Sequence, residues 1–118
     1  MAMTTLSRIE PGPRMSKAVI HGDTVYTAGI VSSDTNLDVY GQTANILGQI
    51  DTVLAAAGSD KSKMLRVNIW LSDITTFAEM NRAWDEWVPA GETPGRATVE
   101  SKLAVPSMLV EVMVIAAR

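Results

Sequence analysis

The stretch "LVEVMVIAA", residues 109 to 117, decides what kind of fold this chain can adopt. Strand alternation puts Val110, Val112, Val114 and Ala116 on one face and Leu109, Glu111, Met113 and Ile115 on the other. Both faces are apolar, so both sides of the sheet need a cover. Glu111 is the odd member. A carboxylate buried among Leu109, Met113 and Ile115 is costly unless it meets a cation or several donors. Two readings stay open: a strand-end ion pair or partly solvated rim, or a group that works inside a pocket.

Just upstream stands "ETPGRATVESKL", residues 92 to 103. Pro94 and Gly95 stop what precedes, and Arg96 opens an alternating run. Arg96, Thr98, Glu100 and Lys102 share one face; Ala97, Val99, Ser101 and Leu103 share the other. An arginine there is either a solvated edge charge or a carboxylate-binding group, for which its planar fork is better suited than lysine. If 95–103 and 108–116 pair antiparallel through "AVPS", Arg96 and Glu111 fall on one covered face and in one pocket. They then neutralise each other, or Arg96 holds an anionic substrate while Glu111 handles a water or a proton.

The rest of the chain supplies the other layer. "TLSRIE" reads as a short N-terminal strand, separated by "PGPRMS" from "KAVIHGDTVYTAGIV", two strands around a tight Gly-Asp turn. From Val39 to Ala57 the period becomes helical, with Ala44, Leu47, Ile50 or Val53, and Leu54 on the stripe and Gly58 as the stop. "MLRVNIWLS" (64 to 72) returns to a period of two: Leu65, Val67, Ile69 and Leu71 on one side, Met64, Arg66, Asn68 and Trp70 on the other. "DITTFAEMNRAWDEWV" (73 to 88) predicts a second helix, capped by Thr75 or Thr76 with Glu79 at the capping-box offset, and striped by Phe77, Met80, Trp84 and Trp87 or Val88. The order β-β-β-α-β-α-β-β is an α+β plan: one mixed six-stranded sheet with two helices on one face. Residues 1–118 form one domain, of which 1–14 are the N-terminal strand and connector. Two helices cover one sheet face only, and the least costly cover for the other is a copy of the same chain, so a homo-oligomer follows.

Composition narrows the function. A chain of 118 residues with 47% hydrophobic and 19% charged residues has the balance of a folded domain rather than a disordered one. The formal net charge of −3 disfavours a nucleic-acid partner, which needs a basic patch. With no cysteine there is no disulfide, thiolate metal site or cysteine nucleophile. The start "MAMTTLSRIEPGPRM" lacks the pattern of a secretory signal, and no apolar run approaches the about 18 residues of a membrane span. The expectation is a cytoplasmic protein. His21, the only histidine, stands at the hairpin turn without partners at metal-ligand or acid–base spacing, and is read as a surface residue. Trp84 and Trp87 are read as packing, Trp70 as a candidate subunit contact, Asp85 and Glu86 as a solvated face, and "SDKSK" as a charged loop that lacks the glycines of a phosphate cradle.

"TPGRATVESKL" followed by "VPSMLVEVMVIA" resembles the C-terminal signature of the Rid (reactive intermediate deaminase) family, also labelled YjgF/UK114 or L-PSP. The likeness extends through "VYTAGIV" and "AAAGSDKSKMLRVNIWLSDITTFAEMNRAWDEW", and so covers roughly residues 15 to 118. It implies a chorismate-mutase-like α+β domain in a homotrimer, with sheets forming a central barrel and pockets between subunits. It further implies hydrolysis of reactive enamines and imines to 2-oxo acids and ammonia, with no metal and no cofactor. By the same resemblance, Arg96 binds the substrate carboxylate and Glu111 positions the attacking water. Asn81 and Gly29 lie near the ligand, and Thr98 stands where the family has cysteine. Met15 replaces the pocket tyrosine, and Ala28 replaces the serine before the glycine; both changes remove hydroxyls. The small-molecule partner is an imino or oxo acid. Two alternatives remain: a non-catalytic carboxylate-binding module, and the endoribonuclease or translation inhibitor of the older family label.

Overall fold

The computed structural model describes residues 5–118; Met1 to Thr4, part of the predicted N-terminal segment, lie outside the described residues. The elements are β1 (Leu6–Ile9), β2 (Ala18–His21), β3 (Thr24–Thr27), β4 (Ile30–Val31), α1 (Val39–Ala56), β5 (Met64–Leu71), α2 (Phe77–Trp87), β6 (Gly95–Glu100) and β7 (Val110–Ala117). The strands form one mixed sheet in the order β1-β2-β3-β7-β5-β6, with β4 added against β7. It has seven strands, not the expected six. The extra one is the end of "VYTAGIV", where the chain leaves β7 after Tyr26 and rejoins it at Ile30.

Between those points residues 27 to 29 face only Met113 and Val114, a local bulge that breaks the ladder. The Val114 amide, buried there, donates to Thr27 Oγ1 at 2.9 Å, and that hydroxyl donates to the Ala28 carbonyl at 2.8 Å. A side chain thus replaces the missing backbone acceptor. The preceding hairpin turns at Gly22–Asp23, with Gly22 at φ 60°, the positive φ that a type II′ turn needs at its first central residue.

β7 lies between β3/β4 and β5, antiparallel to all three. Val110, Val112, Val114 and Ala116 are fully buried beneath the helices, together with Val67, Ile69 and Leu71 of β5. α1 contributes Ile46, Leu47, Ile50, Val53 and Leu54 to the same core. The helical stripe was misplaced at one end: Ala44 is exposed, while Gln42 and Thr43 are buried. Thr43 donates to the Val39 carbonyl. Gln42 Nε2 donates to the carbonyls of Leu37 and Ser107, each at 3.0 Å, and its Oε1 accepts from the Leu109 amide at 3.0 Å. One buried amide therefore pins the connector before β7 to α1. The helix starts at Asp38, whose Oδ1 accepts from the Gly41 amide, and ends as expected at Gly58, with φ 79°.

Three further expectations change. A bulge between Met64 and Arg66 reverses the start of β5, so Met64 is buried at 5% exposure and Leu65 is out at 54%. Thr76 makes no side-chain cap on α2; Asp73 accepts from the Thr75 amide and starts a 3-10 turn (Ile74–Thr76) that leads into the helix. Phe77, expected in the stripe, is exposed, whereas Met80, Ala83 and Trp84 are buried.

The largest correction concerns β6. It does not pair with β7: it runs parallel to β5 on that strand's far side, and β5 separates the two. The crossover through α2 returns the chain in the direction of β5, which suits a parallel neighbour and not a hairpin with β7.

Replacing Thr27 by Val is expected to cost about 1–3 kcal/mol, because it leaves the buried Val114 amide without an acceptor. Thr27→Ser should retain most of the stability. Urea unfolding midpoints of the three proteins test this; equal midpoints for Val and wild type would remove the bridging role of the hydroxyl.

Candidate functional site

The residues that the sequence assigns to one pocket fall into two groups on opposite faces. Arg96 is in register with Val67, which is buried beneath the helices, so it lies on the helix-bearing face of edge strand β6. Glu111 is in register with Trp70 and Val31, on the open face. Two strand spacings and three residues of register separate them, roughly 10 Å across and 10 Å along. Within one chain they neither pair nor share a pocket.

The Arg96 group is built by β6 and α2. Its guanidinium carbon lies 5.1 Å from the Trp84 ring centre and 5.7 Å from that of Phe77. Both contacts are within the cation–π range. Asn81, half-buried, stands four residues after Phe77 and three before Trp84, on the same flank of α2. Among the described residues Arg96 has no ion pair. Burial pulls its guanidinium below the ordinary value and the charge of Asp85 opposes this, but arginine stays protonated throughout. Thr98, two residues on along the same face, has a buried Oγ1 with no hydrogen-bond partner. The aromatic cradle was missed from the sequence, because Trp84 was assigned to packing alone. Trp84 does both: it is buried, and it tilts against Trp87 at 5.6 Å.

The second group gathers where the chain bulges away from β7. Gly29 has no side chain because Glu111 occupies the space: a Cβ built there overlaps Glu111 Oε2 and comes within 3.0 Å of its carboxyl carbon. Met15, Ala28 and Gly29 line one cavity of about 270 Å³, with Ile30, Val31 and Gln49. Gln49 is fixed by donating to the Val31 carbonyl at 2.9 Å and to Asn45 Oδ1 at 2.8 Å. At the rim Lys17 and Glu10 form an exposed pair at 3.5 Å, of little energetic weight. So Met15, Ala28, Gly29 and Glu111 are brought together, as are Arg96, Thr98 and Asn81.

The open face between these groups carries Tyr26, Val99, Trp70, Met113 and Ile115, partly exposed and covered by no element of the chain. His21 is exposed at the hairpin, and no group of three metal-ligating side chains occurs among the described residues. Among the described residues no helix is long and apolar enough to cross a membrane.

The class to which this α+β chain belongs is identified by comparison with known proteins. Residues 5–118 match the family model described as Endoribonuclease L-PSP, and the chain belongs to that family. It is 46% identical over 113 residues to a RutC family protein of Haemophilus influenzae, covering 95% of this chain and 97% of the relative. It is equally similar to the RutC family protein YoaB of Escherichia coli, covering 96% and 98%. Among solved structures, NMB1025 of Neisseria meningitidis, a member of the YjgF protein family, superposes with a TM-score of 0.94 at 40% identity, covering 97% of this chain and 95% of that one. The Rid-family protein YyfA of Yersinia pestis superposes with a TM-score of 0.88 at 27% identity, covering 97% and 100%.

Gly29→Ala is expected to displace the Glu111 carboxylate while lowering the thermal midpoint by a few degrees at most, since the obstructing atoms end a flexible side chain. Thermal unfolding checks this. A collapse of the fold would mean that Gly29 is required by the backbone, not by Glu111.

Proposed function

We propose that the protein hydrolyses 2-imino acids and their enamine tautomers to 2-oxo acids and ammonia, in sites shared between neighbouring copies of a homotrimer. The observation that carries this reading is Arg96: a half-buried guanidinium, cradled by two aromatic rings, with no carboxylate partner among the described residues. Such a cation is poised for a carboxylate from elsewhere. Arg96, Asn81 and Thr98 of one subunit would face Glu111, Gly29, Ala28 and Met15 of the next, which the apolar open face supports by needing a cover.

The chemistry follows from the residue types. Arg96 binds the substrate carboxylate through paired N–H donors and so fixes the adjacent C=N carbon. Glu111 accepts a proton from a water as its oxygen attacks that carbon. A C–O bond forms, and the C=N π electrons become a lone pair on nitrogen. Glu111 returns that proton to nitrogen, the second O–H proton also moves to nitrogen, and the C–N bond breaks as C=O forms and ammonia leaves. Imines are electrophilic already, so positioning and one carboxylate suffice.

The test is diversion of imine from a competing trap. An amino-acid oxidase supplies 2-imino acids, semicarbazide captures them, and the protein is expected to reduce capture. Arg96→Ala should lower kcat/KM by at least about 100-fold through lost positioning, and Glu111→Gln by about 10²–10⁴-fold. Mixing the two variants after subunit exchange should restore activity in about one site in four, because some interfaces then hold both native groups. No recovery on mixing would remove the shared-site reading. Sedimentation should give three times the 12.7 kDa chain mass. Wild type that binds 2-oxo acids saturably but leaves every imine to the trap would be a carboxylate-binding module instead.

A further inference from the structure

The cavity beside Gly29 says which substrates such a site would favour. Its lining is mainly apolar, with Met15, Ala28, Ile30 and Val31 beside Gly29, and its polar side chains are Ser16, Lys17, Glu10 and Gln49. Lys17 and Glu10 are paired with each other there, and both donor contacts of Gln49 are used on Val31 and Asn45, which leaves the Ser16 hydroxyl and Gln49 Oε1 as the polar groups open to a ligand. The interior therefore offers little to a polar or charged side chain, and burying one there without partners is costly. At about 270 Å³ the cavity lies near the lower end of small-ligand sites and suits one part of a ligand rather than a whole one.

Its position relates it to the reacting centre. Gly29 lines the cavity and also packs against Glu111, which is not itself part of the lining, so a carbon attacked by a water on Glu111 would sit on the Gly29 side of the cavity. One substituent of that carbon, the carboxylate, goes to Arg96. The other, the amino-acid side chain, is left to enter the cavity.

We infer that this cavity is the side-chain subsite and that it selects imino acids with extended apolar side chains, Met15 being a specificity-determining residue. The inference rests on the deaminase reading for its substrate but not for its binding preference. Met15 is 65% exposed in the single chain, so its flexible thioether can fold over a bound alkyl group without disturbing the core.

The experiment measures a chain-length series in two ways. Straight-chain 2-oxo acids with side chains from methyl to butyl are titrated by calorimetry, and the matching 2-imino acids are assayed for kcat/KM. Both quantities should rise about fourfold per added methylene, the increment for burying one in apolar surroundings. The serine-derived imine should fall below the straight-chain ones. Met15→Gln, nearly the same in length but polar at the tip, should flatten the slope; because residue 15 is exposed, this variant should fold. A flat or falling slope with wild type overturns the subsite, whatever the turnover. A rising slope in 2-oxo acid binding with no turnover of any imine leaves the subsite standing and removes the deaminase reading. A slope unchanged by Met15→Gln removes the role of Met15.

Discussion

Strand β7 is the constraint from which the rest follows. It joins the two halves of the sheet, pairing with β3 and β4 on one side and with β5 on the other. Its helix-facing side chains are fully buried, and each such valine contributes on the order of 1.5–3 kcal/mol. Because the period is two, the same register that buries Val110, Val112 and Val114 must present Glu111, Met113 and Ile115 on the opposite face. A slip of one residue would expose the core row and bury the carboxylate under α1. The location of Glu111 is therefore set by the packing of its neighbours and not by any contact of its own.

That register also explains the local irregularity around Gly29. A regular ladder from β3 into β4 would leave a side chain at position 29 competing with Glu111 for space. The extra residue between Tyr26 and Ile30 lifts the chain away, and glycine leaves room for the carboxylate. The bulge exposes the Val114 amide to the loss of its partner, and Thr27 makes good the loss. Three features that look independent in the sequence, a buried threonine, a small pair Ala28–Gly29 and a lone glutamate, are one arrangement. It illustrates why bulges concentrate beside functional positions.

Most of the fold was legible because it rests on periodicity. The two faces of β7, the Gly22 hairpin, the span of α1 and its Gly58 stop all follow from spacing and turn chemistry. What failed has a common cause: partners distant in sequence. The bulge in β5 reversed Met64 and Leu65, and buried Gln42 is explained only by the Leu109 amide and the Ser107 carbonyl, more than sixty residues away. The pairing of β6 failed for the same reason. Adjacent segments are the default guess for neighbouring strands, but β6 reaches the sheet through α2 and lies parallel to β5. Arg96 and Glu111 were singled out by strand alternation and the other site residues by a family resemblance, and neither says which strands lie side by side. Placing Arg96 and Glu111 together was therefore an inference about topology, and it fell with that topology.

The separation of those two groups turns an objection into an argument. Had Arg96 and Glu111 met within one chain, the simplest account would be mutual neutralisation, in which neither group is available to a ligand. Their opposite faces forbid it. Arg96 is held instead beside Phe77 and Trp84, aromatic rings within cation–π range that leave its N–H donors free for a ligand. Lysine could not use that cradle in the same way, since it lacks a planar group to stack and a second donor axis to present to a carboxylate. An arginine supported by rings and left without an anion, on the edge of a sheet whose open face is itself uncovered, is a half-built site. The other half has the complementary deficiency: a carboxylate beside a cavity, with no cation among the described residues paired to it. Each half lacks what the other has, and assembly through the uncovered face brings both requirements to one solution.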